Sequence, residues 1–70
     1  MQVTFLGTTS GNTGCPTVYA TDRGTYLVQG SIVTDREALA ELGKHGNGIP
    51  SHETVVEIPK ELVKFFPEPN

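Results

Sequence analysis

The run from Gly24 to Asp35, GTYLVQGSIVTD, is the longest β-favouring stretch in the chain, and it narrows the available folds more than any other segment. β-Branched and aromatic residues dominate it, which suits a strand that packs its side chains against neighbours. Tyr26, Val28 and Ile32 fall on one face at a period of two, and Leu27 and Val33 fall on the other. Apolar groups on both faces predict a central strand with cover above and below, and Gly30 marks a bulge or the close approach of another backbone. Just upstream lies a second β-favouring run, TVYAT from Thr17 to Thr21, and Asp22-Arg23-Gly24 separates it from the first. Three residues ending in glycine fit a type I turn closed by a left-handed Gly24, so an antiparallel hairpin is expected. Met1 to Leu6 alternates Val3 and Phe5 against Gln2 and Thr4, which predicts a short N-terminal strand.

After Val33 the apolar period changes from two to about 3.6. Thr34-Asp35-Arg36-Glu37 matches a capping box, with Thr34 as the N-cap and the Glu37 side chain reaching back to its amide. Asp35 suits the positive end of the helix dipole. The helix is expected from Asp35 to about Leu42, with Ala38, Leu39 and Leu42 inward and Gly43 ending it. Glu53 to Ile58, ETVVEI, reads as a half-buried strand with Thr54, Val56 and Ile58 on one face and Glu53, Val55 and Glu57 on the other. Pro59 fits the first position of a closing helix, whose stripe is Leu62, Phe65 and Phe66, and Pro67 stops it. The resulting fold class is α+β: a small, mainly antiparallel sheet in the order β-β-β-α-β-α, packed with two short helices. Residues 1–70 form a single small domain, with flexible loops expected at 7–16 and 43–52 and a frayed tail at 67–70.

A chain of 70 residues has room for one core, and domains of this size commonly draw extra stability from a partner or from self-association. The net charge is −3, and Arg23, Arg36, Lys44, Lys60 and Lys64 never cluster. That pattern argues against direct nucleic-acid binding. The one cysteine, Cys15, has no second cysteine to pair with, and no basic start leads into an apolar signal or spanning segment. A reducing, cytoplasmic setting away from the membrane is therefore expected.

The glycine-rich stretch Gly7 to Pro16, GTTSGNTGCP, is the strongest candidate for ligand chemistry. Successive amides around Thr9, Ser10, Gly11, Asn12 and Gly14 can form an anion-binding nest. The phosphate-loop pattern is absent, because no Gly-Lys-Ser/Thr ends the stretch and a strand rather than a helix follows, so a plain surface loop is the simpler reading. Cys15 has no neighbouring base or cation to favour its thiolate, and it reads as a small packed thiol. His45 and His52 flank a glycine-rich connection at a spacing that matches no metal motif, and both read as solvated loop residues even with Glu53 beside them. Asp22, Glu41, Glu57 and Glu61 read as surface charges. No catalytic, cofactor-binding or metal-ligating residue is assigned. Val63, Phe65 and Phe66 form a candidate interaction surface, because with Leu62 they give the closing helix more apolar width than one thin sheet covers; the plainer reading places them all in the core. A sheet this small also keeps open edges to which another chain can pair.

Ser10-Gly11-Asn12 with Cys15 three positions on, the hairpin, the late strand and Pro59-Lys60-Glu61-Leu62 leading to Phe65 together resemble a group of small actinobacterial proteins. These are the BldB-like domains of unknown function that accompany XRE-type (WhiJ-like) helix-turn-helix regulators. The chain departs from that pattern at Pro16, at Gln29-Gly30-Ser31, and at Leu62 where tryptophan is common, and Asp35 to Leu42 with its loop is an insertion. The resemblance implies a regulatory accessory protein that acts through a protein partner, and it supplies no catalytic residue. The expected function is a non-enzymatic interaction module, partnering a helix-turn-helix regulator or forming a homo-oligomer, with no cofactor. The alternative is a small-ligand or anion-binding module built on the loop at 7–14.

Overall fold

The structure, a computed structural model, describes residues 1–9, 16–46 and 48–67. β1 (Val3–Thr8), β2 (Thr17–Thr21) and β3 (Tyr26–Gln29) form an antiparallel sheet in the order β1-β2-β3. A second pair, β4 (Ser31–Ile32) with β5 (Val56–Glu57), is also antiparallel. Helix α1 spans Arg36–Leu42, and a 3-10 helix spans Lys60–Phe65. The α+β class read from the sequence is thus the class observed.

The hairpin between β2 and β3 forms as its loop chemistry requires. Gly24 is left-handed at φ 74°, and the Thr21 amide donates to the Thr25 carbonyl at 3.0 Å. The Thr21 hydroxyl oxygen accepts from the amides of Arg23 and Thr25 at 3.1 and 3.3 Å, which ties the turn to the end of β2. β1 then joins the other side of β2. Its register slips between Phe5, opposite Tyr19, and Gly7, opposite Val18, so Leu6 is the extra residue of a β-bulge.

The bulge determines how the sheet is covered. It sets Gly7 rather than Leu6 opposite the fully buried Val18, and Phe65 of the closing helix lies directly on Gly7. A Cβ at Gly7 would stand 2.2 Å from Phe65 Cδ1. Gly7 and Thr8 therefore belong to β1, not to the loop that their composition suggests. The small residue serves a close approach instead of a turn.

Four further expectations are corrected. The stretch around Tyr26 is not central: β2 holds that place, β3 is an edge, and Tyr26 and Leu27 are exposed. Gly30 breaks the run into β3 and β4, and here the expected close approach is present, since a Cβ would stand 2.6 Å from the Glu57 carbonyl oxygen. The cap of α1 is Asp35, whose carboxylate accepts from the Ala38 amide at 2.9 Å, so Thr34 is one residue too early. A carboxylate at the cap also meets the helix dipole, which favours this register over the hydroxyl of Thr34. Ala38 and Leu42 do not turn inward, for α1 has no buried residue. Finally, the closing helix is 3-10, with Pro59 as its extended N-cap and the Leu62 amide donating to the Pro59 carbonyl at 3.0 Å.

The late strand is shorter than ETVVEI predicts, with only Val56–Glu57 in ladder register and the Val33 amide donating to the Val55 carbonyl at 3.0 Å beside it. Among the described residues, Val18 and Leu62 are the fully buried apolar side chains, with Thr17 beside Val18. The apolar core lies between β2 and the closing helix, and Thr17 is buried on the opposite face of β2.

Candidate interaction surface

The antiparallel registers assign every strand residue to one of two faces. Gly7, Val18 and Val28 share one face with Thr4, Ala20 and Tyr26. Leu62 is fully buried, Phe65 lies on Gly7, and Phe66 meets Tyr26 edge-on at 5.2 Å between ring centroids. The closing helix thus covers the Gly7–Val18 part of this face, while Thr4 and Tyr26 remain exposed. Lys64 holds its ammonium 5.3 Å from the Phe65 ring centroid.

The opposite face carries Val3, Phe5 and Thr8 from β1, Thr17, Tyr19 and Thr21 from β2, and Leu27 and Gln29 from β3, and at one end of it Thr17 is fully buried. Phe5, Tyr19 and Leu27 stand in one cross-strand row, and Phe5 meets Tyr19 edge-on with ring centroids 6.1 Å apart. No described element covers this row: Val3 is 48%, Phe5 58% and Leu27 40% exposed. Tyr19 is half-buried between its neighbours. β1, β2 and β3 contain no charged residue at all. An exposed row of apolar side chains with no charge among its neighbours on the strands is a feature that folded domains ordinarily cover.

The residues singled out in the sequence divide between surface and core. Val63 is 61% exposed on the closing helix, while Phe65 and Phe66 are half-buried against β1 and β3. Of the glycine-rich loop, Thr9 is described and half-buried, and Thr8 closes the loop base by donating from its hydroxyl to the Pro16 carbonyl. Ser10, Gly11, Asn12, Gly14 and Cys15 lie outside the described residues. His45 and His52 are exposed, at 3.7 and 3.6 Å from carboxylate oxygens of Glu41 and Glu53 respectively. Lys44 pairs with Glu41 at 3.3 Å, again in the open. Such exposed pairs contribute little to stability.

Among the described residues no three His, Cys, Asp or Glu side chains converge as a metal site, and no pocket is present. Among the described residues no helix is long and apolar enough to cross a membrane. No family model, curated protein or solved structure matches the chain. The Val3–Phe5–Leu27 surface was not assigned from the sequence, although one signal for it was present: three apolar strands without a single charge among them.

Proposed function

We propose that the chain is a non-enzymatic protein-interaction module, a regulatory accessory that binds a helix-turn-helix transcriptional regulator or another copy of itself. The observation that carries this reading is the open, uncharged sheet face of Val3, Phe5, Tyr19 and Leu27. Small molecules are held in concave sites with a few convergent polar groups. A sheet face rich in aromatic and aliphatic side chains suits a macromolecular partner instead, because only another folded surface removes so broad an area from water. The resemblance to BldB-like domains supports a regulator as one such partner. Val63, exposed on the other side of the sheet, offers a second point of contact.

The test is sedimentation velocity of the purified chain, alone and mixed with the helix-turn-helix regulator encoded nearest to it. A self-associated species, or a complex with the regulator, is the expected result. A monomer that ignores the regulator in both arms overturns the reading, and a thermal shift produced by inorganic phosphate in that same protein would favour the loop instead.

A further inference from the structure

We draw no further inference here: the strongest candidate, the exposed row of Val3, Phe5 and Leu27 on the outer sheet face beside the free edge of β1, carries nothing beyond the association reading, because nothing in the structure shows what covers it.

Discussion

Gly7 shows how one missing methyl group positions an element. Phe65 occupies the space where a Cβ would be, at 2.2 Å, and Phe65 is one of the residues that hold the closing helix on the sheet. Gly7→Ala is expected to push the ring aside and to cost about 1–3 kcal/mol, the range for an overpacked contact. Urea unfolding should show this as a lower midpoint at unchanged slope; an unshifted midpoint would mean that Phe65 is not seated there. At α1 the decisive atom is the Asp35 carboxylate oxygen, 2.9 Å from the Ala38 amide. Asp35→Ala should remove about 1 kcal/mol of helix stability, whereas Thr34→Ala should leave the helix unchanged. Because α1 has no buried residue, the loss belongs to local opening. It should be read as faster amide exchange at 36–42, and the reverse order of the two variants would move the cap to Thr34.

Two glycines at the ends of elements predict opposite signs for the same substitution. Gly24 closes the hairpin at φ 74°, where an L-residue is strained by roughly 1–2 kcal/mol. Gly43 ends α1 in the right-handed region at φ −66°, with its amide donating to the Leu39 carbonyl. A Cβ there meets nothing nearer than 3.5 Å. Gly24→Ala should therefore destabilise the β2–β3 hairpin, while Gly43→Ala should be neutral or stabilise α1 by about 0.4–1 kcal/mol through the unfolded chain. Thermal melts and amide exchange on the two variants separate these outcomes, and a destabilised Gly43→Ala protein would contradict the right-handed cap.

For the whole molecule, two fully buried apolar side chains among the described residues make a thin core for one chain. Self-association, one arm of the proposed function, would couple folding to association and make stability depend on concentration. The melting midpoint of the wild type should rise as the protein is concentrated. For Leu27→Glu it should stay flat and lie at or below the dilute wild-type value. A wild-type midpoint independent of concentration would show that folding and association are separate.

Local chemistry was legible in most places, although the cap of α1 was read one residue early at Thr34 and the closing helix is 3-10. The hairpin, the close approach at Gly30, a helix after Val33 and a closing helix after Pro59 follow from turn residues, caps and apolar period, all of which act within a few residues of chain. The other misread positions depend on partners far along the chain. Gly7 reads as loop until Phe65 is placed on it, and the Gly24 to Asp35 run reads as central until β2 takes the middle and leaves β3 at the edge. The candidate surface follows the same division. Val3, Phe5 and Leu27 carry an alternation that the sequence displays openly, but alternation assigns a residue to a face without saying which face is covered. The sequence by itself determined the α+β class, the β2–β3 hairpin, a helix after Val33, a helical turn after Pro59 and the two-sided apolar strands. Only the tertiary structure decided that one short helix covers one side of the sheet, because the bulge at Leu6 and the seat of Phe65 on Gly7 join residues at opposite ends of the chain.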